Sequence, residues 1–595
     1  MDYKELIPDS ENPSEDQKKN GFFIEGGKYF LEETRGRGTR KKELSNFVMQ
    51  SIFHLNNGTN NSKRIIKIQR YTGEISFIEV YSSEMKHATF ETFLKSIRCT
   101  FIGGTENLNL IFARLMDDEN EAFYIDVLGW IPEHNIYAFA DSVITQSNQV
   151  EKVNELGIIT DANENKSYYL PSFGIANIND AGHDTNRLYK FRAGNLSFES
   201  WSQYYFQSFE SNGIIGILFL ILSVFRDIVF NQVGFFPFLF LHGDYGTGKT
   251  SFVERLLSVF GKDTIGTALN NATITALSRI VSTRLNSLFY FKEYTSDTEE
   301  SAQDFILTAY DGAGRTTGVK SNDNRTQSLV IKSGIILDGN ELPVEKSAVF
   351  SRMILASFEK QNFSDEQKEA FEKLKSEAEF GLGNILLEIL KYRELFATNF
   401  KEAYSENLKN LKQSELSKNL RERMLNHVAL LLAPAKILDD KLTFPFSFKE
   451  ATLQIIDRAL NQDELLKESN AVTVFWNAIA YGIRNATVNQ YDEGLNNSKA
   501  DFRVKYDSTG DGILQIKYPN LYPKYVSYCK SNNIKFLDKN SLKSLLTSEA
   551  NKSFIRSSQQ NRGSAYTDFN FGSCYQFAFQ QKEKGIEVNE VELYM

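Results

Sequence analysis

An α/β fold is predicted for this 595-residue chain by three observations. The apolar run 238–241 passes through a glycine-rich turn, 243–248, into an amphipathic segment, the pattern of strand, loop and helix. Further apolar runs at 288–291, at 334–337 and directly after Arg352 alternate with helical spacing at 274–288 and 304–310. Strands joined by helices in this way make a sheet with helices packed on it. Short strand-like pieces precede this region and a long helical stretch follows it, so one sheet domain is flanked by modules of different character.

Composition is that of a globular, multi-domain chain: 41% apolar residues, 24% charged and 10 prolines. The formal charge is −9, from 67 Lys and Arg against 76 Asp and Glu, so a surface that coats nucleic acid is not indicated. A local basic patch or channel is still compatible with that balance. Three scattered cysteines, Cys99, Cys529 and Cys574, form neither a disulfide framework nor a zinc set, and six histidines lack metal-ligand spacing. The apolar stretch 213–225 is too short to span a bilayer and reads as a buried helix. With no signal-peptide pattern at the start, the expectation is a cytoplasmic protein with no membrane partner.

In chain order, residues 1–21 are polar, carry no period and read as a disordered tail. Residues 22–200 read as an N-terminal α+β accessory domain, with strands at 65–68, 75–81, 100–102, 122–130 and 136–140 and a helix at 86–97. Trp130 there is expected in the core rather than as a stacking platform for bases. Residues 201–365 hold the sheet domain, and 366–500 a helical region ending in an Asn-rich linker. Residues 501–581 show two short helices, 518–529 and 541–548, then strands at 553–556 and 574–579 around a turn-rich excursion. That order is winged-helix-like, with Lys539, Lys543 and Arg562 as its cations and either DNA or protein as its partner. Residues 582–595 are a polar tail.

The turn reads Gly243-Asp244-Tyr245-Gly246-Thr247-Gly248-Lys249-Thr250, which fulfils GxxxxGK[ST] between a strand and a helix. Glycines let the backbone curl with its N–H groups facing a phosphate chain, and the helix N-terminus adds its partial positive end. Lys249 is placed to reach the β- and γ-phosphates of ATP, and Thr250 to set its hydroxyl on Mg²⁺. Glu293, at the end of the 288–291 run, fits a general base for the attacking water. The residue before it is Lys292, where an aspartate helping to hold the metal would be expected; Asp297 is an alternative for that role. Asn340, after the 334–337 run, fits a group that orients the water and reports the γ-phosphate. Arg352 fits an arginine finger, acting on its own or a neighbour's nucleotide, with a surface salt bridge as the other reading. The glycine-rich stretch 311–325 carries Arg315, Lys320 and Arg325, cations suited to a phosphate backbone.

Together the 243–250 loop, Glu293, the DGAGR stretch at 311–315, Asn340 and Arg352 resemble a superfamily three helicase, an AAA+-like P-loop ATPase. The nearest resemblance is to primase–helicase-like ATPases of phages and mobile elements, over about residues 235–385. It implies that Gly243 to Thr250 are Walker A, Glu293 the Walker B glutamate, Asn340 the sensor and Arg352 a finger acting in trans. It further implies a pore hairpin bearing Arg315 and Lys320, a homo-hexamer with single-stranded DNA through its centre, and replication-initiation proteins as partners. Lys292 departs from the family pattern, and 22–200 shows no primase signature. Two other readings stay open: an ATP-dependent initiator or loader without processive unwinding, and a ring that binds nucleotide without turning it over.

Overall fold

A computed structural model describes residues 4–35, 38–117, 120–161, 164–261, 266–269, 273–295, 298, 300–318, 326–343, 347–360, 363–491, 500–506, 512–532, 534, 536–548, 566–568 and 572–579. A sheet core is flanked by a β-rich N-terminal region and a helical region after it, an architecture consistent with a P-loop ATPase. Residues 13–20, expected within a disordered tail, form a helix instead. Asn12 caps its start, Gly21 closes its end in the left-handed conformation, and Ser10 bonds the backbone of Ile24. Local caps and contacts supply what apolar periodicity did not.

The N-terminal region holds a six-stranded mixed sheet in the order Ile158–Asp161, Lys166–Tyr169, Glu121–Tyr124, Phe47–Asn56, Lys63–Arg70 and Ile75–Tyr81. Residues 100–102, expected as a strand, contribute one isolated bridge between Ser45 and Phe101. A second, five-stranded sheet runs from Val150–Lys152 through Leu128–Ile131 and is completed by Arg284–Leu285 from the sheet domain. The expected helix over 274–288 therefore stops at Ser282. Asn286 has a positive φ of 52°, and buried Arg284 lies over the Tyr189 and Phe289 rings.

The central sheet has five parallel strands in the order Thr267–Ala268, Leu288–Tyr294, Gly334–Gly339, Phe238–His242 and Met353–Ser357. The three inner strands and Met353–Ser357 are largely buried runs, as a parallel sheet covered on both faces requires, and the short edge strand Thr267–Ala268 is half-buried. The chain leaves Phe238–His242, works inward from the far edge to Gly334–Gly339, then crosses to Met353–Ser357 on the other side. Phe238–His242 thus stands where the strand order reverses, and ligands of open α/β sheets bind at the carboxyl ends of strands at such a point.

The helix Phe198–Val224 lies under this sheet and is kinked at Glu210 (φ 49°). By length and composition it would suffice to cross a membrane, but 78% of its most apolar window is buried inside the protein. It shares one hydrophobic core with the 128–144 strands and with the helices Gly383–Leu390, Glu422–Leu438 and Phe448–Arg484. In the last module, strands Phe502–Tyr506 and Gly512–Ile516 precede the helices Tyr518–Ser531 and Lys539–Leu546. They form an antiparallel sheet with Gly572–Phe579 and Tyr566–Asp568. The strand expected at 553–556, and Arg562, lie outside the described residues. Cys99, Cys529 and Cys574 are buried as small core residues and form no disulfide among the described residues.

Candidate nucleotide site at the carboxyl edge of the sheet

The glycine-rich loop leaves the central strand pinned on both sides. Gly243 N–H donates to the Gly339 carbonyl at 3.3 Å, and the His242 carbonyl accepts from Phe358 N–H at 2.7 Å. A Cβ at Gly243 would meet the Phe358 carbonyl oxygen at 2.2 Å, so only glycine fits there. Gly248 has φ 95° and open space around it; its requirement is conformational, because it turns the chain into the helix Lys249–Leu257. The N-cap of that helix is Gly248, which has no side chain to bond its first amides. Asp244, Tyr245 and Gly246 are exposed at the tip, Thr247 is buried and donates to the Asp244 carbonyl, and Thr250 is exposed.

Lys249 is 8% exposed. Its ammonium donates to the carbonyls of Gly243 (2.5 Å) and Asp244 (2.9 Å) and to Asn340 Oδ1 (3.1 Å). Burial lowers its pKa, and the nearby carboxylates of Asp338 and Asp244 oppose that shift. Asn340 follows the strand beside the loop, exposed at the same edge.

Glu293 reaches this edge through a β-bulge. Phe291 pairs with Leu337 and Tyr294 with Gly339, so Lys292 and Glu293 together oppose the single residue Asp338. Glu293 is exposed and has φ 64°, a left-handed conformation that costs a side-chain-bearing residue roughly 1–2 kcal/mol. Asp338, 8% exposed, spans the bulge: Oδ1 accepts Glu293 N–H at 2.9 Å and Oδ2 accepts the Tyr290 hydroxyl at 2.9 Å. The Tyr290 hydroxyl also stands beside Thr250, and burial followed by the Asp338 charge raises its pKa. Lys292 lies over the Tyr290 ring at 5.5 Å, packed toward Gly266 at the outer edge.

The sequence reading singled out Lys249, Thr250, Glu293 and Asn340, and all four gather at one edge. It passed over Asp338, whose only sequence signal is an acidic residue inside an apolar strand. Among the described residues no group of three or more His, Cys, Asp or Glu stands together. One threonine hydroxyl beside a glycine-rich loop would suit Mg²⁺, which is commonly held by phosphates and water with few protein ligands. Asp297 lies outside the described residues.

Arg352 is not brought to this loop. Its carbonyl accepts from Phe238 N–H, the first residue of the central strand, at the amino edge. The carboxyl edge is five residues of strand away, roughly 17 Å at ~3.3 Å per residue. Its guanidinium lies over the Tyr310 ring at 5.4 Å and donates to the Ala348 carbonyl, and it makes no ion pair among the described residues. A cavity of about 720 Å³ opens beside it, lined by Phe235, Tyr310, Asp311, Ala348, Ser351 and Arg423.

The cationic stretch forms an antiparallel hairpin, Ala313–Gly318 with Thr326–Val330. Its base, where Ile331 N–H meets the Gly312 carbonyl, is also at the amino edge, next to Phe236. Arg315 is described in backbone only, on the first strand; Lys320 and Arg325 lie outside the described residues.

Among solved structures, the chain is similar to the SCCmec type IV Cch active helicase, with a TM-score of 0.50 and 13% identity. The alignment covers 94% of this chain and 96% of that one, and at this identity the likeness shows a shared fold. A JCV helicase bound to a small molecule aligns at 16% identity and TM-score 0.23, over 39% of this chain and 63% of that one. The apo NrS-1 C-terminal region aligns at 12% identity and TM-score 0.27, over 71% and 90%. No family model and no curated protein matches the chain.

Proposed function

We propose that this protein is an ATP-dependent DNA helicase of the superfamily three type, serving phage or mobile-element replication in the cytoplasm. The observation that carries the reading is the convergence of Lys249, Thr250, Glu293 and Asn340 at the carboxyl edge of the central strand. The fold shared with an active helicase along nearly the whole chain supports it.

Bound Mg²⁺–ATP would supply the γ-phosphoryl group that water attacks, with ADP as the leaving group. The glycine-rich loop and the first helical amides hold the phosphates, Lys249 turns from its loop carbonyls toward them, and Thr250 offers its hydroxyl to the metal. Glu293 takes a proton from the attacking water. Asn340, bonded to Lys249, senses where that ammonium is engaged.

Arg352 stands at the opposite edge of the sheet from its own loop, so it is assigned to a neighbouring copy's nucleotide. That assignment requires a ring, which we take to be a homo-hexamer. Single-stranded DNA is assigned to the pore, held by Arg315, Lys320 and Arg325 of the hairpin. The strand Gly334–Gly339 joins the two ends of the device, since the hairpin returns into its start and Asn340 follows its end. Acidic net charge is compatible with cations confined to a pore. The last module is assigned a winged-helix-like contact with DNA or with replication-initiation proteins.

Lys292 favours a second reading, an initiator or loader that hydrolyses ATP slowly and does not unwind processively. Unwinding of a forked duplex, measured beside ATP turnover with and without single-stranded DNA, separates the two. The helicase reading expects strand separation that needs ATP, and turnover that rises with DNA. ATP turnover with no strand separation supports the loader.

A further inference from the structure

We propose that Asp338 is a positioning residue that, from the neighbouring strand, holds the backbone of Glu293 and the Tyr290 hydroxyl in place for the reaction. This inference rests on the ATPase reading of the site.

Where the family pattern has an aspartate, this chain has Lys292, whose side chain packs along Tyr290 toward the outer strand. At the bulge two residues, Lys292 and Glu293, face one on the neighbouring strand. Asp338 is that one residue, and its Oδ1 accepts the Glu293 N–H. Its second oxygen holds the Tyr290 hydroxyl, which stands beside Thr250. A single buried carboxylate thus fixes the backbone of the general base and, through Tyr290, the hydroxyl assigned to the metal. It is also near enough to Lys249 to act on that ammonium's charge. A left-handed glutamate persists only where its surroundings over-determine it, and these bonds are what does so here.

Asp338 touches no reacting atom in this scheme. It acts through its hydrogen bonds, so an acceptor of the same shape should serve. Asn keeps one oxygen for the Glu293 N–H and an amide that can donate to the Tyr290 oxygen.

The test uses the full chain, ATP turnover with magnesium and single-stranded DNA, and binding of ADP. Asp338→Ala is expected to lower kcat by about 30-fold or more with ADP affinity unchanged, whereas Asp338→Asn stays within about threefold of wild type. In a Glu293→Gln background, Asp338→Ala is expected to cost nothing further, because the group it positions is already disabled. Three results overturn the inference: Asp338→Ala at wild-type rate, a loss that persists undiminished in the Glu293→Gln background, or an Asp338→Asn loss beyond about 30-fold, which would mean that the charge itself acts. Should Asp338→Ala fail to fold, the Asn variant decides alone. Wild-type protein that hydrolyses no ATP would instead remove the ATPase reading beneath it.

Discussion

Lys249 and Asn340, 91 residues apart in the chain, meet where the lysine ammonium donates to Asn340 Oδ1 at 3.1 Å. The bond joins the glycine-rich loop to the end of the neighbouring strand. The ammonium is shared among this oxygen and two loop carbonyls, so engaging a phosphate must rearrange all three. Asn340→Ala is therefore expected to slow ATP turnover by about 10²–10³-fold while leaving nucleotide binding close to wild type. Fluorescent-nucleotide titration beside steady-state turnover checks the split; a parallel loss of affinity would make Asn340 a binding group instead.

Glu293 sets function against stability. Glu293→Gln is expected to cut turnover by about 10²–10⁴-fold with nucleotide still bound. Glu293→Gly should also abolish turnover yet raise unfolding free energy by about 0.5–1 kcal/mol, since glycine adopts the left-handed conformation freely but loses more entropy on folding. Denaturant titration of the two variants reads the difference, and a destabilised Glu293→Gly would show that the bulge is not strained.

Arg352 is predicted to act between subunits. Arg352→Ala should lower turnover by about 10³-fold. Mixing it with Lys249→Ala protein, itself inactive, should restore part of the activity, because a mixed ring pairs an intact loop with an intact arginine. Mixtures that never exceed the sum of their inactive parts would place Arg352 outside the reaction.

The hairpin cations make a salt-dependence prediction. If Arg315 and Lys320 each neutralise one phosphate of single-stranded DNA, replacing either by alanine should reduce the slope of log affinity against log salt by about 0.7. Fluorescence anisotropy over a range of salt measures it. An unchanged slope would free the hairpin of this role.

His427 tests the packing behind Arg352. It is buried, its Nε2 is 3.1 Å from the Tyr310 hydroxyl, and burial, helped by the Arg423 charge, pushes its pKa down to about 3. Its folded pKa lies below its unfolded value, so the stability it contributes is full above about pH 6.5 and drains away as pH falls toward 3. His427→Gln should flatten the loss of Tm between those limits relative to wild type. Equal acid sensitivity in both proteins would mean the imidazole is not held neutral.

Much of the site was legible because its members announce themselves locally. GxxxxGK[ST] with a strand before and a helix after needs no tertiary information, and Glu293 and Asn340 both end apolar runs. Asp338 was not legible, because its partner is 45 residues away and nothing in the sequence around Glu293 points to it. The bulge that makes the two meet is a property of register, which short apolar runs do not encode. Arg284–Leu285 was read as helix for the same reason: it is held by pairing with Leu128 and Gly129, in a region taken as a separate domain.

ATP hydrolysis by the purified full chain, with magnesium and single-stranded DNA, compared with Lys249→Ala, bears most directly on the proposed function. The expected result is turnover by the wild type that DNA accelerates and that the variant lacks. No turnover in either, or equal turnover in both, would contradict the assignment of the 243–250 loop as the seat of the motor.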